Sequence, residues 1–389
     1  MHRLIALACA LLLLGATVTP ARAADPYDVN VVLSLTGAGA FLGLSEQKAI
    51  SAIEALTNKT GGIKGRPVHF VIVDDQSNPQ VAVQLVNGLI GKGVPVIIGP
   101  SYSATCYAVL PIVKTGPVQY CLAPSVHTVT PSFTFSAGVS TKDLALAGLR
   151  FFREKGLKKI AVLVTTDATG QDGENVIKED VQLRENSAME IVATEHFNPT
   201  DISISAQISR LKSSGAQAVI AWVTGTPFGT VLKGAVDGGL ELPMLTNAGN
   251  LSVPQMTQYA NFVPKELYFT GFRVQAYKSA GPGVVRDADY QFINAMKSVG
   301  VTNPDGTHQQ GWDATMVVID ALRHIGTGAT AEQVRNYLAT LHNYAGINGI
   351  MDFRDNQQRG YKDNGALIVK WVPADKTFVG VSKPGGYSK

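Results

Sequence analysis

Two short apolar runs, Val68-His69-Phe70-Val71-Ile72-Val73-Asp74 and Val94-Pro95-Val96-Ile97-Ile98, flank a segment of helical length from Pro79 to Gly91. Runs this short and this apolar fit strands covered on both faces, and the segment between them fits an amphipathic helix crossing over them. A strand-helix-strand unit specifies a parallel sheet wrapped by helices, so the fold class is α/β. The same alternation continues outward from this stretch. Further strands are expected at Asp28 to Leu35, Val118 to Leu122, Lys159 to Val164, Met189 to His196, Ala218 to Val223 and Leu267 to Gly271. Helices are expected at Ser45 to Asn58, Asp143 to Lys155, Gly173 to Ser187, Ser203 to Ser213 and Pro227 to Gly238.

Around Thr141 to Asp143 the rhythm restarts, as a second unit of similar design would. After Arg273 come three helical segments, Ala288 to Val299, Gly311 to Ile325 and Ala331 to His342, and two late strands, Gly349 to Arg354 and Ala366 to Val372. A chain that enters a second unit near Thr141, returns near Arg273 and ends in strands makes two lobes joined by three crossovers. Residues 24–142 with 274–348 are assigned to the first lobe, 143–273 with 349–382 to the second, and 383–389 to a tail. Ligands bind beyond the carboxyl ends of strands in open parallel sheets, so two facing lobes share one cleft that closes by hinge motion.

The chain has 389 residues, enough for two domains, and 45% hydrophobic against 16% charged residues excludes disorder of the whole. Met1-His2-Arg3, the apolar run Leu4 to Val18 and Ala21-Arg22-Ala23 form a signal-peptide pattern cleaved after Ala23, which places the mature protein outside the cytoplasm, in the periplasm. Removing Arg3 and Arg22 with that leader lowers the formal charge from +3 to +1, so no basic excess suggests nucleic acid. No later segment is long and apolar enough for membrane insertion. Cleavage leaves Cys106 and Cys121, which an oxidising compartment allows to bridge; two buried thiols are the alternative.

The polar loops fall at strand ends. Gly99-Pro100-Ser101-Tyr102-Ser103-Ala104-Thr105 opens a helix, and its free N–H groups with the Ser103 and Thr105 hydroxyls suit a carboxylate; N-capping is the bland alternative. Ser125 and His127 follow the next strand, and His127 is a candidate donor to an anion or a structural loop residue. The second unit offers Thr166-Asp167-Ala168-Thr169-Gly170, Thr224-Gly225-Thr226-Pro227, Asn247-Ala248-Gly249-Asn250 and Arg273. The turn Gly37-Ala38-Gly39-Ala40-Phe41-Leu42-Gly43 has the wrong glycine spacing for a dinucleotide but could expose N–H groups. No G-x-S-x-G, H-E-x-x-H or CxxC is present, and Ser103 with His127 lacks a third group to orient the imidazole, so neither an enzyme, a metal nor a cofactor is expected.

Gly61-Gly62-Ile63-Lys64-Gly65-Arg66 leading into Phe70-Val71-Ile72-Val73-Asp74-Asp75-Gln76-Ser77-Asn78-Pro79 resembles the signature of the periplasmic leucine/isoleucine/valine-binding family. Leu35-Thr36-Gly37, Gly99-Pro100, Asp167 with Gly170 and Gly311-Trp312-Asp313-Ala314 agree with it, and the likeness runs from Asp28 to about Val381. It implies a type I binding protein of two Rossmann-like lobes, a Venus-flytrap. Such a protein is monomeric and delivers a small solute to the permease of an ATP-driven importer. It also implies that Ser103 and the backbone around Ser125 and His127 hold a ligand carboxylate, with Leu42 and Thr169 at cleft positions that are often aromatic. Amino-acid binders of the family hold the ligand ammonium with an acid where this chain has Ala248, in the loop with Asn247 and Asn250. An acid without an amine, aromatic or apolar, is therefore expected, against Phe41, Leu42 and Tyr102. Two alternatives are a branched-chain or other hydrophobic amino acid, and a sensing role toward a membrane receptor.

Overall fold

The computed structural model describes residues 25–127, 130–275, 282–354, 359–361 and 365–389; the expected leader lies outside the described residues. The first sheet comprises β1 (Tyr27–Leu33), β2 (Val68–Asp74), β3 (Val96–Ile98), β4 (Val118–Cys121) and β5 (Thr134–Ser136), all parallel, in the order β2-β1-β3-β4-β5. The second contains β6 (Lys159–Thr165), β7 (Glu190–Phe197), β8 (Ala218–Trp222), β9 (Met244–Thr246) and β10 (Leu267–Phe272). After a hairpin of β11 (Tyr344–Gly346) and β12 (Gly349–Met351), β13 (Ala366–Val372) and β14 (Thr377–Gly380) complete it antiparallel, in the order β14-β13-β10-β9-β8-β6-β7. Every residue of β8 is buried, as a strand covered by helices on both faces requires.

In the first lobe the sheet is flanked by α1 (Ala40–Lys59), α2 (Pro79–Gly91) and α3 (Ser103–Val109). The second carries α4 (Thr141–Glu154), α5 (Ala168–Val181), α6 (Ser205–Ser213), α7 (Thr226–Asp237) and α8 (Val253–Gln258). The later helices α9 (Val284–Ser298), α10 (Gly306–Ile325) and α11 (Ala331–Thr340) return to the first lobe, where α9 and α10 pack against α1. Helix starts follow local chemistry: Asn78 caps α2 with Pro79 at its first position, Ser140 caps α4, and Asp305 with His308 closes a capping box on α10.

The chain crosses between the sheets after Ser136, after Phe272 and again between Tyr361 and Ala366. The last crossing lies later than the expected boundary at 348/349. Phe353 packs edge-on against Phe135 at 6.0 Å, and Arg359 donates to the Val126 carbonyl at 2.9 Å, so residues 349–354 and 359–361 pack with the first sheet. A short apolar run reads as a strand wherever it sits, and only packing assigns it to a lobe. Helices α1 and α5 begin about five residues earlier than expected, because their glycine-rich first turns press against the strand ends. Two strands of three residues, β5 and β9, carry too little pattern to be read from sequence. The expected tail packs too: Arg150 lies 5.1 Å from the centre of the Tyr387 ring.

Candidate functional site

In the first sheet β1 lies between β2 and β3, and in the second β6 lies between β7 and β8. At each such reversal of winding a crevice opens beyond the carboxyl ends of the strands. The two crevices face each other and close on a shared cavity. Tyr102 Oη, from the first lobe, donates to Asp167 Oδ2 at 3.0 Å and to the Thr224 carbonyl at 3.3 Å in the second. The Thr226 N–H donates to the Ala38 carbonyl at 3.0 Å. Burial and the neighbouring Asp167 carboxylate raise the Tyr102 phenol well above its ordinary pKa, so it remains a donor. The cavity is narrow, about 30 Å³.

The first wall rests on the motif at the end of β2. Asp74 accepts from the Leu35 N–H at 2.9 Å and from Thr36 Oγ1 at 2.7 Å, and Ser77 Oγ accepts from the Gly39 N–H at 2.9 Å. These bonds fix the turn that launches α1 and presents Leu42 to the cavity. Ser103, at the start of α3, meets Ser125 after β4: Ser125 Oγ donates to Ser103 Oγ at 2.7 Å. Behind them Cys106 and Cys121 are bridged, tying α3 to β4. Tyr107 Oη donates to the Ser125 carbonyl at 2.7 Å. The guanidinium of Arg359, 3% exposed, stands behind the same loop; burial lowers its pKa to about 10, which leaves it charged at neutral pH.

The second wall brings Thr169, Thr224, Asn247 and Ala248 to the cavity, with Trp222 from the end of β8. Thr224 Oγ1 donates to Asn247 Oδ1 at 3.0 Å, and Asn247 Nδ2 donates to the Val223 carbonyl at 3.0 Å. Trp222 fits because α5 has glycine beneath it: a Cβ on Gly173 would lie 2.1 Å from Trp222 Cδ1. Among the described residues lining the cavity none is charged.

Leu42, Tyr102, Ser103, Ser125, Thr169, Thr224, Asn247 and Ala248 thus come together, and five other candidates stand elsewhere. Phe41 packs edge-on against Tyr259 at 6.3 Å, in the seam between the lobes. Thr105 spends its hydroxyl on the Tyr102 carbonyl at 2.9 Å. His127, 44% exposed, meets Asp172 at 3.1 Å at the rim instead of facing the cavity. Asn250 is internal, donating to the Val223 carbonyl at 2.6 Å and accepting from the Gly225 N–H at 3.1 Å. Arg273 pairs with Asp289 at 2.6 Å, behind the cleft. Sequence reasoning missed Trp222, Thr141, Leu144 and Gln310, which also line the cavity. Trp222 ends a strand on the binding edge, and Gln310 directly precedes Gly311-Trp312-Asp313-Ala314, so both signals were present.

A family model described as periplasmic binding protein matches residues 26–376. The chain belongs to that family. The Leucine-, isoleucine-, valine-, threonine-, and alanine-binding protein of Pseudomonas aeruginosa is 28% identical over 226 residues, 56% of this chain and 59% of the relative. The chain therefore spans about three fifths of that relative's length. An extracellular ligand-binding receptor from Rhodopseudomonas palustris HaA2 superposes with a TM-score of 0.79 at 20% identity, covering 91% of this chain and 99% of that one. A solute-binding protein of an R. palustris ABC transporter, in complex with benzoate, gives 0.77 at 16% identity over 94% and 98% of the chains. This periplasmic binding protein accordingly has the two-lobed type I fold, and its cavity occupies the cleft between the lobes. No helix among the described residues is long and apolar enough to cross a membrane.

Proposed function

We propose that this periplasmic binding protein is the solute receptor of an ABC importer, holding a small organic acid without an amine in the interlobe cavity and passing it unaltered to a membrane permease. The observation that carries the reading is the cavity wall itself, with hydroxyl and amide donors but no charged side chain. Ser103 accepts the Ser125 proton, which leaves its own proton for a ligand oxygen. The buried Arg359 behind the Ser125 loop adds positive potential without entering the cavity. An ammonium would find no carboxylate on the wall, Ala248 standing where an acid is expected, and an unpaired buried ammonium is costly. Leu42, Leu144 and Trp222 supply the apolar surface for an aromatic or aliphatic body. The narrowness of the closed cavity favours a small, flat solute. Export by the residue 1–23 leader and action as a monomer complete the reading.

A thermal-shift screen of benzoate, phenylacetate, butanoate, leucine and isoleucine tests it. A ligand at 100 times its dissociation constant adds about 2.7 kcal/mol of stability. The acids should stabilise the protein and the amino acids should not. The reverse ranking would establish the second reading, a hydrophobic amino acid, which the name of the Pseudomonas relative favours. Loss of uptake of the stabilising acid in a deletion strain would separate import from sensing.

A further inference from the structure

Gln310 lines the cavity from the buried first half of α10, is 5% exposed, and neither its Nε2 nor its Oε1 has a hydrogen-bond partner among the described residues. Its neighbours are committed elsewhere. His308 bonds Asp305 at 2.7 Å, Asp313 accepts from the Ile347 N–H at 3.1 Å and from Tyr361, and Gly311 abuts Glu46. A buried carboxamide needs both an acceptor for its N–H and a donor for its oxygen. A ligand carboxylate offers acceptors only and would leave Oε1 desolvated against a negative charge. An ammonium offers donors only and would leave Nε2 unmet. A single group that meets both atoms of Gln310 is uncharged and able to do both; a zwitterion could meet them only with an ammonium for which this wall offers no carboxylate.

We propose that Gln310 is a specificity-determining residue that reads a second, neutral polar group on the solute, a hydroxyl or a carboxamide, so that the ligand class is a small hydroxy- or carbamoyl-substituted carboxylic acid. The inference rests on the preceding reading, in which the Ser103–Ser125 pair receives the carboxylate. It places the second group at α10, on a different element from the hydroxyl pair.

Calorimetric titration of wild type and Gln310→Met tests it with benzoate, 3-hydroxybenzoate, 4-hydroxybenzoate, 4-carbamoylbenzoate, butanoate and 4-hydroxybutanoate. Methionine keeps the volume and helix propensity while removing both polar atoms. In wild type at least one substituted acid should bind about 10-fold or more tighter than its unsubstituted parent. In Gln310→Met that preference should fall to about twofold through weaker binding of the substituted acid alone. If every parent acid binds wild type as tightly as its substituted partners, or if the preference survives in Gln310→Met, the inference is overturned while the carboxylate reading stands. If none of the six acids binds wild type, the carboxylate reading fails and takes the inference with it. Should Gln310→Met not fold, the wild-type comparison still decides, and Gln310→Asn, which withdraws the amide by one methylene, must lower the preference.

Discussion

The two walls of the cleft are made by the same kind of strand-to-helix turn but differ in what stands behind them. Behind Ser103 and Ser125 are a disulfide, the charged Arg359 and the buried acid Glu46, whose carboxyl oxygens have no hydrogen-bond partner among the described residues. Behind Thr224 and Asn247 is a net of neutral amides, in which Asn250 Nδ2 also donates to Thr246 Oγ1 at 2.9 Å and Gln255 Nε2 donates to the Gly225 carbonyl at 2.8 Å. The first wall leaves the Ser103 proton free, whereas on the second Thr224 and Asn247 are spent on each other and only Thr169 Oγ1 stands without a partner among the described residues. The first is thus suited to grip an anion, and the second to close over whatever the first has taken.

The largest effect should come from the acid behind the first wall. Burial pushes Glu46 up to about 8, with the neighbouring Asp75 carboxyl adding to the rise. In the unfolded chain Glu46 ionises near its ordinary value of 4.5, while in the folded protein it holds its proton until about pH 8. Its penalty is absent below the lower value, grows as pH rises between the two, and is constant above the higher. Each unit in that window costs about 1.4 kcal/mol, so Glu46→Gln should gain roughly 4 kcal/mol on wild type between pH 5 and pH 8. Urea titrations across that range check this; parallel stability curves for the two proteins would mean that Glu46 is ionised in place. Next in size is the bridge. Closing a loop with a sequence separation of 15 contributes about 3 kcal/mol in the chain-entropy model, so the Cys106→Ser, Cys121→Ser double variant should lose that much in urea unfolding. Because the bridge ties the two hydroxyl loops together, acid binding should weaken as well, which an equivalent loss of stability in the second lobe would not cause.

The alternation of strands and helices was readable because each strand is a continuous apolar run and each helix an amphipathic one; Lys159–Thr165 and Thr141–Glu154 were placed within one or two residues. The first wall was legible for a related reason: hydroxyl residues clustered after a strand, as at Ser101 and Ser103, are rare enough to stand out. His127 misled because polarity in a loop reveals chemistry but not direction, and the side chain turns to Asp172 at the rim. Arg273 misled in the same way, its partner Asp289 being 16 residues on in a helix that returns to the first lobe. Gln310 and Trp222 carried a positional signal but no chemical one, because both belong to regular elements, where a polar or large residue reads as a packing detail until the partner lobe is placed against it.

Where the walls meet, Gly225 is the point of closest approach. It has φ +82°, which favours glycine, and a Cβ there would lie 2.1 Å from the Ala38 carbonyl oxygen of the other lobe. Gly225→Ala should hold the lobes apart, raising the dissociation constant of the acid that gives the largest thermal shift about 100-fold, or about 2.7 kcal/mol. Small-angle scattering with that acid present should show a larger radius of gyration than wild type. Unchanged affinity would mean that closure does not use this contact.

The smallest effect separates the walls most directly. Ser103 Oγ receives the Ser125 proton at 2.7 Å, so Ser103→Ala removes a donor to the ligand and leaves Ser125 to turn elsewhere. Thr224 Oγ1, by contrast, already donates to Asn247 Oδ1 at 3.0 Å. Losing a ligand hydrogen bond of this kind costs about 1–2 kcal/mol, so Ser103→Ala should weaken acid binding about 10-fold with little change in unfolding. Thr224→Ala should show the opposite balance, losing about 1 kcal/mol of folding stability with the buried bond to Asn247, whose oxygen keeps only the Gly249 N–H at 2.9 Å, while affinity changes little. A double-mutant cycle of Ser103→Ala with Ser125→Ala should be markedly non-additive, since the pair acts through one shared proton. If Thr224→Ala weakens binding more than Ser103→Ala does, the division between a gripping wall and a closing wall is wrong.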